Sequence, residues 1–419
     1  MRTDLEHAQL LDARDDLAGY RDAFVDDGDV IYMDGNSLGR LPHATADRLG
    51  AAVTEEWGHD LIRGWHHGWY EAPRRIGDKI GALLGAGPGQ VLACDSTSTN
   101  LFKLIMAALA LRPDRRRIVS DTLNFPSDLY IVQGCMELLG GRHELRLAPS
   151  HDGLTVDPKV LGELIDDQTA LVTLSHVAFK SGFLYDMAEV TARAHAAGAL
   201  VLWDLSHSAG VLPIELDAWG ADFAVGCCYK YLNGGPGAPA YLYVRRELQE
   251  QARSPIWGWF GQRAPFTFGL EYQPAVGVDR FLAGTPPMLS LLGIEPGLDM
   301  LLEAGVERMR EKSIRLTEYA IGLTDALLVP AGYALGTPRD AERRGSHVSV
   351  RHPEGYRINR ALIEELGVLP DFREPDNIRL GLAPLTTSFA DVWHTFERLR
   401  RAVEERVYLR YPAERLTVT

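Results

Sequence analysis

Two apolar segments of the chain end in residues whose chemistry burial would sharpen. ALVLWD (199–204) closes on Asp204 and runs into LSHSAG, with His207 three residues later. DFAVGC (222–227) runs into CYKYLNGGPGA, which carries Lys230 ahead of glycines 234, 235 and 237. A carboxylate at the end of an apolar strand is costly unless a cation or a hydrogen-bond donor meets it. The protonated pyridine nitrogen of pyridoxal phosphate is one such partner, and the acid keeps that ring electron-withdrawing. A lysine beside an apolar strand has its charged form disfavoured by desolvation, which suits Schiff-base chemistry. Singly, each feature also has a structural reading: a turn-capping aspartate, a solvated lysine, the glycines of an ordinary turn. An acid-ended strand followed 26 residues on by a lysine-bearing strand end is a more specific constellation than any of its parts.

Two further segments follow candidate strands. DSTSTN (95–100) places Thr97 and Ser98 before an apolar helix expected from Asn100, where hydroxyls and free backbone N–H groups can hold a phosphate or simply cap the helix. NFPSDLY (124–130) places Phe125 and Asp128 on one loop; the aromatic can stack on a flat ligand or belong to the core. Two weaker signals carry no function. GAGPG (85–89) precedes a strand instead of following one, and His66–His67 lacks any second ligand cluster, so no metal site is expected.

The elements that must position these residues alternate strand and helix. Candidate strands are 90–95, 117–121, 143–148, 170–175, 199–204, 222–227 and 240–244; helices include 100–110 and 187–197. Strands apolar throughout and separated by helices imply an α/β fold with a mainly parallel sheet covered on both faces, whose ligand crevice lies at the strands' carboxyl ends. Beyond residue 290 the pattern changes to a long helical stretch (296–328), then strands near 347–351 and 378–382 and helices near 358–366 and 389–407. The expected partition is a turn-rich N-terminal arm (1–45), a large α/β domain (46–290) and a smaller α+β domain (291–419).

Composition sets the class. The 419 residues carry 43 Lys+Arg against 57 Asp+Glu, a net charge of −14, with 46% hydrophobic and 24% charged residues, an ordinary globular balance. No nucleic-acid partner is expected, because phosphate-backbone affinity needs clustered cations. No membrane partner is expected either, since no apolar run approaches the roughly 20 residues that cross a bilayer. The four cysteines, Cys94, Cys135, Cys227 and Cys228, show no CxxC or zinc spacing, and two are adjacent in an apolar run. With a polar N-terminus lacking a signal-peptide core, this points to a soluble cytoplasmic protein.

The blocks YMDGNSLG, TSTNLF, NFPSDLY, WDLSHSAG, DFAVGCCYKYLNGGPGA, WGWFG, GTPP and DFREPDNIRLGLAPL together resemble kynureninase, in unbroken order from about residue 30 to 395. FPSD and YKYLNGGPG are the specific blocks; GTPP alone is weak. The resemblance implies a fold-type-I, pyridoxal-phosphate-dependent transferase-like fold with a seven-stranded sheet. It implies a hydrolase acting on carbon–carbon bonds in tryptophan catabolism, which splits L-kynurenine into anthranilate and L-alanine. By the same resemblance Lys230 forms the Schiff base, Asp204 pairs with the pyridine nitrogen, and Thr97 and Ser98 bind phosphate. Phe125 lies against the ring with Asp128 nearby; Ser175, His207, Tyr229 and Trp259 contact the cofactor; Tyr229 also transfers a proton. Thr285 is contributed across a homodimer, Arg379 grips the substrate α-carboxylate through its guanidinium fork, and Ser37 and Trp65 flank the substrate.

Three positions depart from the bacterial pattern: Ala178 and Phe179 stand where Asn and Tyr are expected, and Thr386 where Tyr is expected. Trp65 and Thr285 match the branch that favours kynurenine over its 3-hydroxy form. Alternatives are a relative acting on a ring-substituted kynurenine in a biosynthetic pathway, another fold-type-I lyase such as a desulfurase, or a non-catalytic scaffold.

Overall fold

A computed structural model describes residues 2–26, 28 and 30–414. Seven strands form the central sheet: β1 (Val91–Ala93), β2 (Arg117–Asp121), β3 (Glu144–Ala148), β4 (Thr169–Ser175), β5 (Leu200–Asp204), β6 (Phe223–Cys227) and β7 (Ala240–Val244). Their order across the sheet is β1-β7-β6-β5-β4-β2-β3. Only β7 runs against the others, pairing antiparallel with both β6 and β1. Strands β4 to β7 are buried along their whole length, which explains their unbroken apolar sequences. The edge strand β3 instead exposes Arg146 and Leu147, and an exposed charge on an edge discourages pairing with another chain.

The sequence-derived strands match the observed ones to within a residue or two, but several helices differ. The stretch 296–328 is not one helix. Gly305, at φ +80°, separates Glu295–Ala304 from Val306–Leu323, a break that glycine makes at low steric cost. The N-terminal region, read as turns, contains the helix Leu5–Asp12. Ser388 caps the helix Phe389–Glu404 in a box with Asp391, and the Asp12 carboxylate adds acceptors for the first two N–H groups, Phe389 (2.7 Å) and Ala390 (3.0 Å).

A second, four-stranded antiparallel sheet contains β8 (Ala334–Leu335), β9 (His347–Arg351), β10 (Asp371–Arg373) and β11 (Asn377–Gly381), in the order β10-β11-β9-β8. Its core joins Val348, Val350, Ile378 and Leu380 to Leu316, Phe389 and Phe396, and also takes in Ala8 and Met33 from the N-terminal region. The segment after Met33 then crosses to the central sheet. Gly381 N–H donates to Met33 O at 2.6 Å, and Gly39 N–H donates to Tyr229 O at 2.8 Å. A Cβ on Gly39 would lie 2.3 Å from Lys230 O, so only glycine permits this approach.

One buried cation joins two parts of the large core. Lys103, fully buried on the helix Thr97–Ala110, pairs with Asp95 and donates to Phe281 O at 2.6 Å. Replacing it with methionine keeps the alkyl packing but leaves both partners unmet. Lys103→Met is expected to lower stability by about 2–3 kcal/mol, the size of a hydrogen bond to a charged group. Equilibrium urea unfolding measures this, and an unchanged midpoint would show that the ion pair does not tie these segments.

Candidate active site

Asp204 ends β5 and lies in register beside Ser175, the last residue of β4. Both are buried, as is Asp128 on the helix Pro126–Leu138. The Asp204 Oδ1 accepts from Ser206 N–H at 2.7 Å. Burial, then the charge of Asp204 and a hydrogen bond to it, push the Asp128 carboxyl well above the usual range. Burial and the neighbouring acid thus both disfavour ionising Asp128 beside Asp204. Ser175 Oγ donates to Asn124 Oδ1 at 2.8 Å and so fixes the turn that carries Phe125 and Asp128.

Lys230 follows β6 and lies 3.0 Å, Nζ to Nε2, from His207. Burial and the nearby cations Lys230 and Arg379 hold His207 well below the usual histidine range, so the ring is neutral. The other ring nitrogen, Nδ1, is buried and has no protein partner. The Lys230 Nζ also stands 5.9 Å from the Tyr229 ring centroid. Burial, then Cys227 and Asp204, raise the Tyr229 phenol, which keeps its proton at neutral pH.

Thr97 and Ser98 are the first two residues of their helix, which starts three positions before the expected Asn100. The cap is Ser96, whose Oγ accepts from Thr99 N–H at 3.2 Å. Capping thus falls to a neighbour, and Thr97 and Ser98 keep N–H groups that no carbonyl of their own helix can meet. Ser98 Oγ lies 3.4 Å from Ser127 Oγ, which joins this turn to the Phe125–Asp128 loop. The Phe125 ring, half-exposed, packs edge-on against Phe179 at 5.2 Å.

Arg379, on β11, is 1% exposed. Its Nη1 donates to Phe179 O (2.6 Å), and its Nη2 to Ser37 Oγ (2.7 Å) and Asp371 Oδ2 (2.6 Å). Asn36, oriented so that both ends of its amide are satisfied, accepts from Nε at 2.9 Å. The guanidinium fork is thus largely engaged by the protein rather than open on two prongs. The residues missed by sequence reasoning lie here: Asp371, and His347, whose buried ring sits 5.6 Å from that of His207 with neither nitrogen partnered. Both fall on small-domain strands whose pairing the sequence pattern did not reveal.

The remaining expected residues sit elsewhere. Trp65 and Trp259 belong to an aromatic cluster around Phe260, at 5.6 and 4.4 Å, and Thr285 is exposed on the following loop. Among the described residues, no group of His, Cys, Asp and Glu is placed to hold a metal ion, and no helix is long and apolar enough to cross a membrane.

A buried acid pair, a neutral imidazole with an unpartnered nitrogen, the Lys230 side chain, a half-exposed aromatic ring and a helix N-terminus fit an anionic pyridine aldehyde such as pyridoxal phosphate, whose ring nitrogen, carbonyl carbon and phosphate would find partners among them.

The turn leading to this site has its own titrating group. Burial pushes the Asp121 carboxyl up to about 6, against hydrogen bonds from Tyr185 Oη (2.8 Å) and Leu123 N–H (2.5 Å). A raised carboxyl binds its proton more tightly in the folded state, so its stabilising effect is present at about pH 4 and lost as pH climbs through about 6. The stability of Asp121→Asn relative to the natural protein should therefore rise by about 2–3 kcal/mol between pH 4 and 7. Urea unfolding across that range would show a pH-independent difference if the group titrated normally.

Comparison with known proteins adds three findings. Residues 309–399 match the family model for the kynureninase C-terminal domain. The chain is 43% identical over 403 residues to a kynureninase of Pseudomonas fluorescens, covering 95% of each, and 44% identical over 408 residues to one of Burkholderia pseudomallei, covering 96% of each. Among solved structures it resembles the cysteine desulfurase of Thermococcus onnurineus, with TM-score 0.78, 20% identity, and 90% of this chain and 95% of that one covered. The cysteine desulfurase CsdA of Escherichia coli gives TM-score 0.79 at 19% identity, covering 93% and 99%. These last two establish the fold alone.

Proposed function

The chain belongs to the kynureninase family, and from that premise we propose how its residues divide the work of the family's reaction. The protein is a pyridoxal-phosphate-dependent hydrolase that cleaves L-kynurenine between Cβ and Cγ to give anthranilate and L-alanine. The observation that carries the assignment of roles is Lys230 Nζ at 3.0 Å from a neutral His207, with the buried acids Asp128 and Asp204 nearby. When bound, pyridoxal phosphate supplies an electron sink for the bonds broken at the substrate's α- and β-carbons.

Lys230 would join the cofactor and then move the Cα proton, with His207 as its hydrogen-bonded neighbour. Asp204 would hold the ring nitrogen in its cationic form. Thr97 and Ser98 would take the phosphate at their helix N-terminus, and Phe125 would cover the ring. Ser175, through Asn124, keeps that loop in place. Tyr229, which retains its phenol proton, is suited to donate that proton during cleavage rather than to accept one. Arg379 would receive the substrate's α-carboxylate, with Ser37 Oγ holding its Nη2 in place.

Cysteine-dependent desulfurisation, the activity named for the fold neighbours, is poorly served here. It needs a reactive thiolate, yet all four cysteines are buried, and burial pushes the Cys94 and Cys135 thiols up to about 12. Buried free thiols also support residence in a reducing cytoplasm.

The positions of Trp65, Trp259 and Thr285 support a homodimer in which these residues complete the partner's site. Their surroundings are unusually apolar for free surface, with Ile62, Trp257, Phe266, Phe268 and Leu270 all exposed. Random reassociation of two inactive variants, Lys230→Ala and Thr285→Ala with Trp259→Ala, would then give heterodimers with one intact site. Activity of about a quarter of the natural level is expected from such mixing of a two-fold dimer. Mixtures as inactive as their components would exclude a shared site.

The assignment of Lys230 is tested by colour. Protein purified with pyridoxal phosphate should absorb visible light, and Lys230→Ala should lose the lysine-linked band and at least about 10³-fold in turnover, the scale of losing a nucleophile and base together. A variant that kept the band would place the linkage on another residue.

A further inference from the structure

Arginine has five N–H donors. In Arg379 four of them are taken: Nε by Asn36 Oδ1, one on Nη1 by Phe179 O, and both on Nη2 by Ser37 Oγ and Asp371 Oδ2. One Nη1 N–H remains. Asp371 faces Arg379 across the β10–β11 pair and is itself 7% exposed. Its Oδ2 also accepts from Arg373 Nη2 at 2.6 Å and from Ser37 Oγ at 3.0 Å. Two arginines therefore converge on one aspartate, and the buried Asp34 carboxyl, pushed up to about 6 by burial and then by Asp371, adds a second acid near Arg379.

A buried guanidinium without a counter-ion is strongly disfavoured, whereas one fully neutralised by its own carboxylate has little attraction left for a second. The Arg373–Asp371–Arg379 arrangement avoids both extremes. Asp371 restrains a long side chain that otherwise has many rotamers, and Arg373 offsets the charge of Asp371. We propose that Asp371 is a positioning residue for substrate recognition: it pins the Nη2 edge of Arg379 so that the remaining Nη1 N–H meets the α-carboxylate, with Arg373 as the compensating cation. This rests on the reading of Arg379 as the carboxylate receptor. It replaces a two-pronged clasp with a single direct prong on a fixed guanidinium.

The test uses the holoenzyme with L-kynurenine and with its decarboxylated analogue as a competitive inhibitor. Asp371→Ala should raise KM for L-kynurenine about ten-fold or more while kcat stays within about three-fold, the pattern of lost binding shared by ground and transition states. Asp371→Asn, which keeps one acceptor oxygen in place, should recover part of that loss. Inhibition by the decarboxylated analogue should be unchanged in both, a result that a general loosening of the pocket would not give. Visible absorption and circular dichroism report folding, and if Asp371→Ala does not fold, Asp371→Asn must by itself raise KM several-fold. An unchanged or lowered KM would overturn the proposal and show Asp371 competing for Arg379, as would an equal weakening of the analogue. Arg379→Lys separates the two readings: if it leaves KM unaltered, Arg379 is not the receptor, whereas a raised KM there with an unaffected Asp371 variant sinks only the positioning role.

Discussion

A charged group taken out of water must be met inside the protein by an opposite charge or by hydrogen bonds, and this site is arranged around that demand. The carboxyl ends of β4, β5 and β6 bring Ser175, Asp204 and the segment of Lys230 to one place, with Asp128 beside them. Two buried carboxylates side by side oppose each other's ionisation, and Asp128 is raised well above the usual range. A lysine next to a buried imidazole finds it neutral, because burial and the surrounding cations oppose its charging. Protonation states that the chemistry requires thus follow from packing, before any ligand is bound.

The same demand explains why the second sheet matters to a site centred on the first. Arg379 comes from β11 and reaches the site only because residues 33–39 run from that sheet to Tyr229 and Lys230, with glycine at the closest approach. Its charge is shared with Asp371 and Arg373 on the neighbouring strand. An overall charge of −14 is no obstacle to holding an anionic cofactor and a carboxylate, because the positive potential is local: one helix N-terminus and one fixed guanidinium.

Much of this was legible in the sequence, for a physical reason. Strands buried on both faces must be apolar throughout, so Asp204 and the Lys230 segment stood out as interruptions at strand ends. The α/β class, the seven strands and the cofactor followed from that pattern and from the family blocks. The exact helix start at Thr97 did not, since TSTN offers several capping residues and only geometry selects Ser96. The break at Gly305 was hidden by continuous helical periodicity on both sides. Asp371 and His347 were missed because their importance lies in antiparallel partners and ring neighbours distant in sequence. Trp65, Trp259 and Thr285 were found through resemblance, yet a single chain leaves them apart from Lys230.

The central claim is that the Lys230, Asp204 and Arg379 geometry carries out carbon–carbon hydrolysis on the shared fold rather than the cysteine chemistry of its structural neighbours. The most direct measurement mixes the pyridoxal-phosphate-loaded protein with L-kynurenine and follows anthranilate fluorescence, with L-cysteine supplied in a parallel reaction and sulfide or persulfide release recorded. Stoichiometric anthranilate and alanine from L-kynurenine, with no sulfur release from cysteine, is the expected result. Sulfur release without anthranilate would contradict it.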